Sequence, residues 1–220
     1  MRGSNQSGFT IVELMISTVI FSMILLMLTS GVISFTRSYY KGITETNTQR
    51  IARTITDDIT QTIQSTSLDF TQLPIDANGV HGFCIGNIGY SYILGYQLIE
   101  SAPDISKHQT SHSLIKGNVA GGCSSYNKLN GPTLYSYLTS QSTSEEMLAP
   151  SMRLAKLDVS SVPKNSIGTG IYSVSINVVY GDDDLLTNPT SSDPSCVSDS
   201  GSQFCAVSGL STVVQKRIQQ

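Results

Sequence analysis

The stretch Gly8-Phe9-Thr10-Ile11-Val12-Glu13 decides how this chain is read. A short polar leader ends at Gly8, and an apolar run of about 27 residues follows over positions 9–35, long enough to cross a bilayer as a helix. One carboxylate, Glu13, lies five residues into that run with no basic residue beside it. A charge in a membrane helix costs roughly 2.5–3.5 kcal/mol at the helix centre on insertion scales, so such a residue marks a function. No proline occurs in residues 9–67, which permits one very long helix. Ile43, Ile51, Ile55, Ile59 and Ile63 continue an apolar stripe at multiples of four, and Arg50, Arg53, Asp57 and Asp58 fall around it. Unbroken, this segment reaches about 88 Å at 1.5 Å per residue.

Three kinds of segment contain an apolar run. A secretory signal peptide has a core of about 7–15 residues and is cut after it at a small-x-small site. Here the run is about twice that length, and the best late site, Leu28-Thr29-Ser30, is spoiled by the bulky leucine. An ordinary single-pass anchor has no reason to hold Glu13. Glycine, then phenylalanine, then glutamate four residues on, resembles the prepilin peptidase signal of type IV pilins and type II secretion pseudopilins.

That resemblance implies cleavage between Gly8 and Phe9, N-methylation of Phe9, and incorporation into a filament. It also implies that Glu13 faces the liberated amine of a neighbouring subunit, so that pairing offsets the desolvation of both charges. The partners it implies are other pilins and minor pilins, a prepilin peptidase/N-methyltransferase, the pilus assembly platform and the cytoplasmic membrane. Size and the Ile20-Phe21 pair are similar to W-type minor pilins and J-type pseudopilins. The tail, Phe204-Cys205-Ala206-Val207 and then Leu210 onward, looks like a minor-pilin closing strand. The expected role is a minor pilin. A type II secretion pseudopilin, a pilus-tip adhesin or DNA-uptake subunit, and a plain single-pass membrane protein are the alternatives.

The 220 residues allow one membrane-anchored domain or two small ones, and 13 Lys+Arg against 16 Asp+Glu make the chain mildly acidic. Loss of the leader removes Arg2 and leaves a net charge of about −4, so a nucleic-acid partner held by a bulk basic field is not expected. Cys84, Cys123, Cys196 and Cys205 all follow the apolar run, with no C-x-x-C pair and no histidine at ligand spacing. An even count beyond a membrane segment points to disulfides and an oxidising compartment. Of three pairings, Cys84–Cys123 with Cys196–Cys205 is preferred because it closes two separate loops. The shorter loop is worth about 2.5–3 kcal/mol on the chain-entropy account. Positive charge after the run, at Arg37 and Lys41, argues for a cytoplasmic carboxyl side. The cysteines and the leader argue for the opposite orientation, which is the one adopted: single-pass in the cytoplasmic membrane, C-terminal domain extracytoplasmic, extracellular once in a pilus.

The fold class expected is α+β, a long N-terminal helix laid across an antiparallel sheet as in pilin-like folds. The parts are a leader at 1–8, a membrane or filament-core helix at 9–35, an amphipathic continuation at 36–67 and a β-rich domain at 68–220. Tyr172, Val174, Ile176, Val178 and Tyr180 alternate with polar residues and predict a strand. Tyr90 to Leu98 predicts another, interrupted at Gly95, and weaker strands are expected at 133–138, 152–159 and 210–218. Residues 104–128 and 181–203 read as irregular.

Asp182, Asp183 and Asp184, with Asp193 or Asp199, are weak calcium candidates, since EF-hand spacing is missing and adjacent acids cannot all reach one ion; a solvated turn is preferred. No other metal and no cofactor is expected. His81, His108 and His112 read as surface-loop residues, although the last two share helical i,i+4 spacing. Lys107, Lys116 and Lys128 with Tyr126 form a faint phosphate-contacting pattern and read as solubilising charge. There is no H-E-x-x-H, G-x-S-x-G or P-loop, so no enzyme is expected.

Overall fold

The proline-free segment forms one helix, α1, Ile11–Ser65. The computed structural model describes residues 8–66, 70–75, 79–120, 131–162, 170–198 and 201–217. The chain divides into two units, residues 1–40 and 41–220, and α1 contributes to both. Threonine is a weak helix former because its hydroxyl competes for backbone groups. Here that competition is resolved inside the helix. Thr48, Thr56 and Thr62 are buried, and each hydroxyl donates 2.8 Å to the carbonyl four residues back.

In the second unit α1 buries Ala52, Ile55, Ile59 and Ile63, while Ile51 is half-buried and Ile43 is exposed. Full burial of each isoleucine is worth roughly 2 kcal/mol, which supplies the stability that threonine-rich sequence lacks. The isoleucines pack into a core drawn from two antiparallel-rich sheets. The first runs β1 (Phe70–Gln72), β2 (Val80–Ile85), β3 (Ile88–Ile93), β6 (Leu114–Asn118) and β7 (Glu145–Glu146), in that spatial order. The second runs β12 (Ala206–Gln215), β9 (Ile171–Tyr180), β8 (Met152–Ser161), β4 (Gln97–Leu98) and β5 (Gln109–Thr110). Its one parallel pair is β4 with β5. Phe83, Tyr90, Tyr92 and Leu114 of the first sheet meet Leu154, Val174, Ile176 and Val178 of the second in this core. The α+β, pilin-like architecture is therefore present, with two five-stranded sheets and a two-stranded one among the described residues where one sheet was anticipated.

A polar clasp ties helix to sheet. Tyr90 Oη donates 2.8 Å to Asp58 Oδ2 and lies 3.0 Å from the Thr62 hydroxyl, while the Lys116 ammonium engages the other Asp58 oxygen. Burial, with Asp58 beside it, pushes the Tyr90 phenol well above its ordinary range, so it stays a donor.

The opposite face of the first sheet carries a second helix, α2 (Gly131–Ser140), whose Leu134 and Leu138 pack with Leu73, Cys84, Ile115 and Val119. Two glycines make that approach possible. A Cβ on Gly89 would stand 2.8 Å from Val119 Cγ2, and one on Gly117 would stand 2.5 Å from Ser144 Oγ and 2.8 Å from Leu138 Cδ2. Gly89→Ala and Gly117→Ala are each expected to cost about 1–3 kcal/mol through overpacking, measurable as a lowered urea midpoint at unchanged slope.

Several local expectations are corrected. Residues 133–138 are helical rather than extended, because Leu134 and Leu138, four apart, fit one face of a helix and Pro132 suits a first turn. The run from Tyr90 to Leu98 is not one strand. It leaves the first sheet at Ile93, bends at Gly95 with φ +79°, and enters the second sheet at Gln97. Residues 104–120 are less irregular than anticipated, since β5 and β6 lie there. The last strand begins four residues earlier than expected, at Ala206.

Candidate functional site

The amino-terminal helix begins where its own side chains can close it. Thr10 precedes the first helical residue and Glu13 lies three positions on, the arrangement of a capping box. Glu13 N donates 3.3 Å to Thr10 Oγ1, and Thr10 N donates 3.2 Å to Glu13 Oε2. The Thr10 hydroxyl adds a 3.1 Å bond to the same carboxylate oxygen. Two otherwise orphaned amides are thereby satisfied, and the negative charge sits at the positive end of the helix dipole. The spacing Thr10-x-x-Glu13 carried this signal in the sequence, where Glu13 was read only for its charge.

Gly8 stands in open space, and Phe9 is 77% exposed, so the peptide bond between them is accessible. From Phe9 to Tyr40 every large apolar side chain is exposed. The part of α1 within this unit is long and apolar enough to cross a membrane. Its hydroxyls are compatible with a medium that offers no water. Ser17, Ser22, Thr29 and Thr36 each donate to the carbonyl four residues back, at 2.7, 2.7, 2.7 and 2.8 Å. At the far end Phe35 stacks on Tyr39, and Tyr39 meets Tyr40 edge-on, an aromatic cluster beside Arg37 and Lys41 of the kind found at membrane–water boundaries.

The remaining candidates lie in the second unit, and most are occupied. Cys196 and Cys205 are disulfide-bonded, closing the segment that holds β11 (Ser195–Cys196) against the start of β12. With β10 (Leu186–Thr187) they form a small hairpin over Ala155 and Val179 of the second sheet. Cys84 is also disulfide-bonded, while Cys123 lies outside the described residues.

Asp182 and Asp184 are exposed, as in the solvated turn anticipated, but Asp183 is half-buried and engaged. Asp182 Oδ1 accepts 2.8 Å from Gln97 Nε2. Asp183 is bound between Arg153 and His108, with Arg153 Nη1 2.6 Å from Oδ1 and His108 Nδ1 2.9 Å from Oδ2. Partial burial works to raise the Asp183 pKa, but His108 and Arg153 outweigh it and hold the carboxyl below its usual value. Arg153 is fully buried, donating also to the Gly95 and Gly181 carbonyls at 3.3 and 3.1 Å. Asp184 is exposed, Asp193 stands apart near β9, and Asp199 lies outside the described residues. Among the described residues no cluster of three or more His, Cys, Asp or Glu is placed to hold a metal ion.

Of the histidines, only His81 departs from the surface-loop expectation. His81 lies in β2 and stacks on Tyr92 with ring centroids 5.1 Å apart, and burial lowers its pKa. His108 and His112 do not share a helix face, since His108 caps a 3-10 turn while His112 Nδ1 lies 3.8 Å from Glu146. Of the lysine pattern, Lys116 is committed to Asp58, while Lys128 and Tyr126 lie outside the described residues.

Glu146 is a half-buried acid that sequence reading missed. Its carboxylate accepts from Ser113 N at 2.9 Å and Leu114 N at 2.8 Å, pinning β7 to β6. Burial pushes its pKa up to about 7 against the opposing pull of those amides. The folded state thus holds a proton that the unfolded chain releases near pH 4.5. The associated stability is complete below that value and is lost as pH rises through about 7, by up to about 3 kcal/mol. Glu146→Gln should flatten this fall between pH 5 and 8, read as the pH dependence of the thermal midpoint.

An exposed apolar helix, opened by a glycine–phenylalanine bond and a capped glutamate, is followed by antiparallel-rich sheets, an α+β, pilin-like architecture. Residues 3–29 match the family model described as the prokaryotic N-terminal methylation motif. No curated protein and no solved structure matches the chain.

Proposed function

We propose that the chain is a minor pilin, a structural and assembly subunit of a type IV pilus rather than an enzyme. A prepilin peptidase cuts after Gly8 and the new amine of Phe9 is methylated. The subunit waits in the cytoplasmic membrane with residues 9–35 in the bilayer and its β-rich domain, from about residue 68, extracytoplasmic. It then leaves the membrane for the filament, where Glu13 pairs with the amine of a neighbouring subunit. The helix over 36–67 links the two parts.

The observation that carries this reading is the methylation motif at the head of a helix whose apolar side chains are all exposed over residues 9–40. Such a surface needs lipid or neighbouring helices to cover it. The paired cysteines of the second unit fit an oxidising compartment. The chain should be recovered in filaments sheared from cells and depend for this on an intact assembly platform. Detection in the membrane fraction alone, in cells that assemble pili, would count against it.

A further inference from the structure

β12 is an edge of the second sheet, and its main-chain groups can be sorted by the side they face. Lys216 N donates 2.6 Å to Gly170 O, so residues 216 and 170 form a bonded pair continuing the β12–β9 ladder. The register from Gln215 back to Ala206 has no shift, so every second residue, 214 down to 206, bonds β9. On the other side of β9, Val162 N meets Ile171 O at 2.9 Å, in keeping with that phase. The amides and carbonyls of Val207, Gly209, Ser211, Val213 and Gln215 therefore point away from the sheet. Among the described residues they make no backbone bond to any other segment. All five residues are exposed, and at Gly209, which has no side chain, the exposure is that of the main chain.

Sheets guard such an edge by making it short, charged, bulged or covered. Among the described residues the other edges of the five-stranded sheets obey this rule. β1 has three residues, β7 is two glutamates, and β5 has two residues with Gln109 N bonded to Asp104 O. β12 has ten residues in regular register, with no proline and no ionisable side chain. Its open donors and acceptors recur at every second residue, about 6.8 Å apart. Another extended main chain matches that spacing along the whole edge.

The side chains define the kind of strand. Leu210 and Val214 join the core, so Val207 and Val213 stand on the opposite face, 37% and 65% exposed, with Gly209 and Ser211 between them. β-Branched residues opposite these valines gain cross-strand contact, whereas a charge there meets no counter-charge. A second copy is the wrong occupant. Two β12 edges paired about a two-fold axis would set the helices over residues 41–65, which pack on the core face of the sheet, in opposite directions. Anchoring both copies in one membrane requires a common direction. That exclusion rests on the membrane reading above, but the open edge does not.

We propose that the outer edge of β12 accepts an extended, uncharged segment of a different protein as a sixth strand of the second sheet, with β-branched residues opposite Val207 and Val213.

The probe is an acetylated, amidated peptide with the sequence of residues 206–215, which lying antiparallel sets its own valines against Val213 and Val207. Hydrogen exchange is read residue by residue on the full chain in zwitterionic micelles, so no filament is needed. In the free chain the amides of Gly209, Ser211 and Val213 should exchange fast and those of Ser208, Leu210 and Thr212 slowly. Millimolar peptide should slow the first set about tenfold or more. The same peptide with lysine in place of the valines opposite Val207 and Val213 should not. Ser211→Pro removes an outward amide without touching the β9 ladder, and should abolish the slowing at Gly209 and Val213. Val213→Lys should do the same and serves should the proline variant misfold. Outward amides already slow in the dilute free chain would mean that the chain covers its own edge. Slowing that grows with protein concentration alone would mean that a second copy does. Either result overturns the proposal, as does no slowing by the peptide, equal slowing by its lysine form, or undiminished slowing in both variants.

Discussion

Glu13→Gln is expected to leave processing and membrane insertion intact and to reduce filament incorporation roughly a hundredfold. The glutamine keeps the carbonyl oxygen that Thr10 N and its hydroxyl address, so the helix start survives. What it removes is the charge. In the proposed filament the neighbour's amine would then be buried with no counter-ion, a loss of about 3 kcal/mol or more. Glu13→Ala removes cap and charge together and adds only about 1 kcal/mol of fraying at the helix end. Comparing the two by immunoblot of sheared and membrane fractions separates the roles. If the glutamine variant assembles normally while the alanine variant fails, capping is the whole function of Glu13.

The second large effect is an asymmetry within one ion pair. Asp183→Asn should destabilise the folded chain by about 3 kcal/mol, and Arg153→Met by distinctly less. Arg153 is fully buried, so removing Asp183 strands a guanidinium away from water with His108 still beside it. Asp183 is about one-third exposed and hydrates when the arginine goes, leaving mainly the Gly95 and Gly181 carbonyls to compensate. The double variant should recover most of the loss seen in Asp183→Asn. Denaturant unfolding of the three variants measures this. Since the Asp183 pKa is lowered on folding, its contribution is present above the ordinary carboxylate range and lost as pH falls below it. Its pH dependence is thus opposite in sign to that of Glu146.

The helix and its motif were legible because each signal is local. Glycine, phenylalanine and glutamate lie within six residues, and α1 needs only the absence of proline and the isoleucines four apart at 51, 55, 59 and 63. The strand at β9 was equally plain, since apolar and polar residues alternate from Tyr172 to Val178 in the sequence, although Asn177 and Val179 on its second face are buried as well. Elsewhere the deciding partner lay far along the chain. Leu134 and Leu138 suit a strand by alternation and a helix by fourfold spacing, and the glycines at 89 and 117 that admit α2 say nothing locally. Asp183 looked like one of three solvated acids because its partners are 30 and 75 residues away in sequence. Glu146 gave no signal at all, as its environment is made by amides of a strand read as loop.

Among these tests, the mass of the mature amino terminus bears most directly on the central claim that α1 is a processed filament helix. Protein purified from the native membrane should begin at Phe9 and carry one added methyl group on its amine. A chain still bearing Met1 to Gly8, or one cut late near Gly31, would contradict it.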